Sequence, residues 1–301
     1  MWIRVLGSAA GGGFPQWNCA CPNCAGVRAG TLTARTRTQA SIAVSLDRTR
    51  WYLVNATPDV NGQLNALADD DPEGPVRRSP VEAVLLTDAE LDHTAGLLSL
   101  REGTGIAVYT TAWIHRASAP ILDVLAAYVP VERTELPAGR SVCLDLQSGL
   151  YCRAIPTGST KRPKYADPQL PADEAAVVGY RFSRGPDRPA VVYLPCVPEL
   201  TDPLVAELSD ADCAFVDGTC WSDDELSRVG LSAKTSRSMG HAPVSGPGGT
   251  LARLAAVGAG RRLYTHLNNT NPLLVEDSAQ RREVESAGID IAYDGLEIEL
   301  K

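Results

Sequence analysis

The chain of 301 residues is short of histidine, with only 4, and short of basic residues, with 28 Lys and Arg against 36 Asp and Glu, for a net charge of −8. An acidic surface cannot gather phosphates by charge, so no nucleic-acid partner is expected. A two-metal site built mainly from imidazoles would use every histidine the chain has. No run approaches the ~20 apolar residues of a transmembrane helix, so no membrane partner is expected either. Residues 1–13 carry one Arg and then a Gly/Ala-rich stretch, with neither a basic leader nor an unbroken apolar segment. Export is therefore not expected, and the protein is assigned to the cytoplasm. Linkers, internal repeats and low-complexity tracts are also missing, which reads as one domain over residues 1–301. What remains, 44% hydrophobic and 21% charged, is an ordinary globular composition.

Short β-branched runs alternate with helical spacing from end to end. Strands are expected over 2–6, 41–46, 51–54, 81–87, 106–109, 141–146, 150–155, 176–182, 190–194, 213–216, 262–265, 289–293 and 296–300. Helices are expected over 60–68, 95–101, 113–128 with an interruption at Pro120, 203–208, 249–257 and 278–287. That order suits an α/β (α+β) class in which sheets pack face to face with helices outside. The stretches 156–171 and 217–247 are long and irregular, and loops of that length usually serve function.

In a reducing compartment a tight cysteine cluster signals a metal rather than a disulfide. Cys19, Cys21 and Cys24 form C-x-C-x2-C, three thiols within six residues. A soft-ligand tetrahedral ion such as Zn²⁺ would hold them together. Such a closed site is structural, pinning the loop after the first strand, and its fourth ligand is not announced. Cys143, Cys152, Cys196, Cys213 and Cys220 stand alone in or near strands and read as small core residues.

Residues 87–96, T-D-A-E-L-D-H-T-A-G, place Asp88, Glu90, Asp92 and His93 just after a buried strand. Ligand sites in α/β folds lie at such carboxyl ends. A helix cap would need one acid, whereas this loop has three and an imidazole. Asp217 and His266 also end β-rich runs. Three strand ends that each deliver Asp or His point to one shared metal centre. His115 falls in a helix, as a bystander.

A buried strand ending in T-x-x-x-x-D-H, then a strand-end Asp, then a strand-end T-H resembles the metallo-β-lactamase superfamily. That resemblance implies an αβ/βα four-layer sandwich of two mixed β-sheets flanked by helices. The superfamily's H-x-H-x-D-H is altered here, with Asp88 and Glu90 in place of two histidines. Seven blocks look more closely like the coenzyme PQQ synthesis B family: G-S-A-A-G-G-G-F-P-Q-W-N-C-A-C-x-N-C (7–24), N-A-T-P-D (55–59), T-D-A-E-L-D-H-T-A-G-L-L (87–98), V-D-G-T-x-W (216–221), M-G-H-A-P-V (239–244), T-H-L-N-N-T-N-P (265–272) and A-Y-D-G-L-E-I-E-L (292–300).

The resemblance implies that Cys19, Cys21 and Cys24 hold structural Zn²⁺. Asn269 stands where related phosphodiesterases carry a fourth, histidine ligand. It also implies an active-site metal on Asp92, His93 and His266, with Asp217 as the carboxylate that bridges two ions where two are bound. His241 corresponds to a loop histidine behind the metal or facing substrate, while Asp88 and Glu90 tune the metal or handle protons. Losing two imidazoles disfavours a two-zinc hydrolytic centre. Two histidines and a carboxylate suit Fe²⁺ and oxygen chemistry, although Zn²⁺, Mn²⁺ or Cu²⁺ could occupy the same donors. The family implies an iron-dependent hydroxylase acting on the tyrosine ring of a cross-linked Glu-Tyr precursor in pyrroloquinoline quinone (PQQ) biosynthesis. The alternatives are a single-zinc hydrolase and a non-catalytic carrier that transports PQQ or a precursor. The substrate's carboxylates would suit Arg181 or Lys161 as a clamp. No motif reports the oligomeric state, and a homodimer is left open.

Overall fold

In the computed structural model, which describes residues 1–67, 78–185, 190–258 and 260–301, the strands follow the expected order with one addition. They are β1 (Trp2–Gly7), β2 (Ser41–Ser45), β3 (Trp51–Val54), β4 (Val81–Leu85), β5 (Ile106–Thr110), β6 (Val131–Glu135), β7 (Ser141–Asp145), β8 (Leu150–Pro156), β9 (Val178–Arg184), β10 (Ala190–Leu194), β11 (Cys213–Asp217), β12 (Arg261–Thr265), β13 (Asp290–Ile291) and β14 (Glu297–Glu299). Two seven-stranded sheets result, ordered β14-β1-β2-β3-β4-β5-β6 and β13-β12-β11-β10-β9-β8-β7. Their plans match. β3 to β6 run parallel, as do β10 to β13, and the remaining neighbours in both sheets are antiparallel.

Side-chain alternation along the strands builds the layers. Val191, Tyr193, Cys213, Phe215 and Leu263 join Ile3, Val44 and Leu53 of the other sheet in one buried cluster. The residues between them, Val192, Leu194, Ala214, Val216 and Tyr264, pack with Leu204, Leu208 and Leu254. Those leucines belong to the helices Asp202–Ser209 and Leu251–Ala255. Strands covered on both faces read as continuous apolar runs, which is why β10 and β11 are legible in the sequence. The architecture is the expected sandwich of two mixed sheets flanked by helices.

Three departures have local causes. β6, V-E-R-T-E, is the added strand: its charged residues are exposed at the sheet edge and leave little apolar signal. Such charges also discourage pairing with another chain. The helix expected over 113–128 is two helices, Ala112–Ala117 and Ala119–Ala126. Pro120 cannot donate within a helix, and the Ser118 hydroxyl closes the first segment by donating to the Ile114 carbonyl at 2.7 Å. A short helix over Pro22–Arg28, opened by its proline and absent from the sequence expectations, carries Cys24. The helix expected over 60–68 runs from Val60 to Asn65, and residue 68 lies outside the described residues.

The fold brings four strand ends together. β10, β11 and β12 are parallel neighbours and finish on one edge. β4 of the facing sheet is tied to that edge by two bonds: the Tyr180 hydroxyl donates to the Leu86 carbonyl at 2.6 Å, and the Val178 amide donates to the Thr87 carbonyl at 2.8 Å. The loop that follows β11 is anchored by buried Glu225, which accepts from the Trp221 amide and the Thr270 hydroxyl, both at 2.5 Å. Burial outweighs these donors and lifts the Glu225 carboxyl from 4.5 to about 7.

The folded state therefore holds this proton more tightly than the unfolded chain. The associated stability is complete below pH 4.5 and is lost as pH rises towards 7, on the order of 3 kcal/mol in total. Glu225→Gln removes that component. The stability difference between wild type and variant, measured by urea unfolding across this window, should shift in the variant's favour as pH rises. A difference independent of pH contradicts the assignment.

Candidate metal centres

Three groups of donors form: the thiols of Cys19, Cys21 and Cys24 stand apart, while His93–Cys196–His266 and Asp217–His241–His266 share His266. In the first, the loop after β1 turns Cys19 and Cys21 towards Cys24 on the short helix, with all three buried. The Asn269 side-chain nitrogen lies 3.1, 3.5 and 3.4 Å from the sulfurs of Cys19, Cys21 and Cys24. Asn269 thus fills the fourth corner of the thiol cluster, and turned about its Cβ–Cγ bond it presents Oδ1 instead. The amides of Gln16 and Cys21 point at the sulfurs of Cys24 and Cys19, both at 3.4 Å. Burial, joined by its thiol neighbours, pushes Cys21 up to about 12. Three thiolates this close need a cation to coexist, and buried C-x-C-x2-C sulfurs fit Zn²⁺.

The second cluster lies in a cleft that opens to solvent. Its floor is the loop after β4 together with the ends of β10 and β12. The two loops singled out for their length wall it: Ser159, Lys161 and Pro163 come from one, and Met239, Gly240 and His241 from the other. His93 Nδ1 donates to Asp88 Oδ2 at 2.7 Å, and Asp88 also accepts from the Thr87 hydroxyl at 3.0 Å and the Glu90 amide at 2.9 Å. On the far side His241 Nδ1 donates to Asp217 Oδ2, again at 2.7 Å.

Between these two pairs sits His266, in the left-handed backbone region with φ 58°. The Thr219 hydroxyl has one proton, and acceptor-only Asp217 Oδ1 lies 2.6 Å away to take it. Thr219 must then accept from His266 Nδ1–H, 2.8 Å distant. His93 and His266 therefore both turn Nε2 inward, and both Nε2 atoms are buried without a hydrogen-bond partner among the described residues. A buried, unpartnered imidazole nitrogen is costly, and a metal ion satisfies two at once. The rings stand edge to face with centroids 5.4 Å apart. Ligand atoms of His93, His266 and Cys196 all lie within 4.8 Å of one another.

The electrostatics separate the two imidazoles. Burial pulls His93 down, but the carboxylates of Asp88 and Asp92 overcome it and lift the ring to about 9. Burial, reinforced by the neighbouring rings of His241 and His93, drives His266 down to about 3. The Asp88 and Asp217 carboxyls are both held below the usual range, because their histidine partners overcome the cost of burial.

The expected site residues thus divide by position. His93 and His266 point into the cleft. Asp92 lines its wall, outside the 4.8 Å cluster, packed so closely on Gly11 that a β-carbon there would lie 2.8 Å from Asp92 Oδ2. Asp88 stands behind His93. Asp217, whose ligand atom lies within 4.8 Å of those of His241 and His266, accepts four hydrogen bonds, from Val197, His241 and twice from Thr219, and so orients the neighbouring rings. Glu90 is at the rim, 3.3 Å from the Lys161 ammonium. His241 lines the cleft and stacks on His266 at 5.1 Å.

Two expectations fail. Arg181 is not in the cleft: it lies on β9 and pairs with Asp210 at 2.8 Å, which leaves Lys161 as the cation of the site among the described residues. Cys196 is no core residue, for it lines the cleft two positions beyond β10. The strand-end rule that singles out Asp217 and His266 would also find it. Thr219 carries no comparable signal.

Asp88→Asn keeps the shape but removes the charge that fixes His93, so affinity for the cleft metal should fall about 10- to 100-fold. Competition with a chelator reads this directly. An unchanged affinity would mean that Asp88 does not orient a ligand.

Residues 50–267 match the family described as Beta-lactamase superfamily domain. The chain is 42% identical to coenzyme PQQ synthesis protein B of Azoarcus sp. (strain BH72) and 41% identical to that of Pseudomonas putida (strain GB-1), each match covering 100% of both chains. It belongs to the coenzyme PQQ synthesis protein B family. The crystal structure of Zn²⁺-bound PqqB from Methylobacterium extorquens superposes on it with a TM-score of 0.90 at 39% identity, covering 100% of both chains. A divalent metal is thus a property of a close structural relative of this PqqB-family chain, and the orphaned nitrogens of His93 and His266 fit one here.

Proposed function

We propose that this protein hydroxylates the tyrosine ring of a cross-linked Glu-Tyr precursor of PQQ, with one Fe²⁺ in the cleft. Its role in PQQ biosynthesis rests on full-length membership of the family. The observation that carries the oxygenase reading is the donor set. Two imidazole nitrogens converge without partners among the described residues, while Asp88, where the superfamily has a histidine, is turned away to hold His93. In the adjoining Asp217–His241–His266 group the Asp217 oxygens already accept hydrogen bonds, which favours one ion at His93 and His266 over a hydrolytic pair. Fe²⁺ with open positions supplies oxygen chemistry when bound. His93 and His266 would hold it, with Asp92 on the adjoining wall.

The chain's other groups serve the substrate. A substrate carboxylate that takes the place of Glu90 meets the Lys161 ammonium at the rim. His241, fixed by Asp217, faces the cleft and can take up a phenol proton. We assign the protein to the cytoplasm, and no described helix is long and apolar enough to cross a membrane.

The test is anaerobic loading with Fe²⁺, followed by O₂ and the cross-linked Glu-Tyr compound, with products read by mass spectrometry. Oxygen-bearing product that depends on Fe²⁺ is expected. No such product with any metal, together with tight binding of the finished quinone, would replace the enzyme by a carrier.

A further inference from the structure

We propose that Cys196 is a ligand of the cleft metal, so that the donor set is His93, His266 and a thiolate, with Asp92 beside it. The proposal rests on the cleft being a metal site and is independent of the reaction carried out there. Three observations support it. First, the Cys196 sulfur lies within 4.8 Å of the ligand nitrogens of both His93 and His266. Around a tetrahedral ion, nitrogen and sulfur ligands stand about 3.5 Å apart, given bonds of roughly 2.0 and 2.3 Å.

Second, the strand register places Cys196 in the ligand row. Leu194 pairs with Val216 and Val216 with Tyr264. Two residues further along stand Cys196, Gly218 and His266, so the thiol leaves β10 at the level at which His266 leaves β12. Third, Cys196 differs from the other single cysteines of the strands. Cys152 and Cys213 are fully buried among apolar side chains, whereas Cys196 lines the cleft between two imidazoles whose Nε2 atoms have no partner among the described residues.

The chemical consequence is selectivity. A thiolate beside two imidazoles favours Fe²⁺, Co²⁺, Cu²⁺ and Zn²⁺ over Mn²⁺ and Mg²⁺, which prefer oxygen. The site would choose its ion by softness as well as by shape.

Co²⁺ titrated into protein whose Cys19–Cys21–Cys24 site retains zinc tests this, because a thiolate on Co²⁺ gives a near-ultraviolet charge-transfer band that histidine and carboxylate ligands do not. The wild type should bind one Co²⁺ in the cleft with that band. Cys196→Ser should still bind Co²⁺ through the histidines, without the band, and with at least the roughly tenfold weakening that follows loss of a residue behind a ligand. Its relative preference for Co²⁺ over Mn²⁺ should fall. One Co²⁺ bound by the wild type without the band, or a band that survives in Cys196→Ser, overturns the proposal. If the wild type binds no cleft Co²⁺ at all, the metal-site reading itself fails and the ligand assignment falls with it. Should Cys196→Ser not fold, alkylation of the wild type decides: metal in the cleft must slow labelling of Cys196, and equal labelling with and without metal counts against the thiolate.

Discussion

A His266→Ala variant is expected to lose the cleft metal while keeping the zinc of the thiolate site. The His266 ring stands between the His93 ring, 5.4 Å away, and the His241 ring, 5.1 Å away. Its Nδ1–H is committed to Thr219, whose own proton goes to Asp217. The geometry thus delivers one inward nitrogen without rotational freedom, and truncation removes it outright. Loss of a residue that merely orients a ligand costs about 10- to 100-fold in affinity, so loss of the ligand itself should exceed that range. Metal analysis after dialysis should show wild type with two ions per chain and the variant with one, bound as zinc. Asn269 and the three cysteines are not among the residues that line the cleft, so their ion should be unaffected. Retention of both ions would mean that His266 is a structural histidine.

Cys24→Ala is expected to have the opposite profile and the largest effect on stability. Cys24 is fully buried, and its sulfur receives the Gln16 amide as well as the Asn269 side chain. With two thiols left, zinc binding collapses and the loop from β1 to the short helix loses its clasp on the loop after β12. Metal binding free energy is folding free energy when the site forms only in the native state. A loss of roughly 3–5 kcal/mol corresponds to a fall in Tm of about 5–8 °C in a chain of this size. Chelation of the wild type by a strong zinc ligand should reproduce the shift. A Tm within about 2 °C of wild type would show that the thiols are held by packing alone.

The parts of this fold that can be read from sequence share a physical signature. β10 and β11 are apolar on both faces because sheet and helices cover them, and His266 and Asp217 stand out as polar residues at the ends of such runs. The thiol cluster is legible because three cysteines at that spacing suit little besides a metal ion. What the sequence hides is relational. Asp88 and Asp92 are chemically alike in one loop, and only packing turns Asp88 towards His93 and Asp92 towards Gly11. Arg181 reads as a free cation because nothing local announces Asp210 across the β9 face. Thr219 acts through a single hydroxyl proton. Cys196 reads as a core residue because a small thiol after an apolar strand suits both roles.

Anomalous diffraction from crystals of metal-loaded protein, recorded at the iron and zinc absorption edges, tests the central claim most directly. The structure predicts two peaks per chain. One should be zinc among the sulfurs of Cys19, Cys21 and Cys24, and the other a single ion between the Nε2 atoms of His93 and His266. A pair of ions in the cleft, or a cleft with no ion while the thiolate site is full, would contradict it.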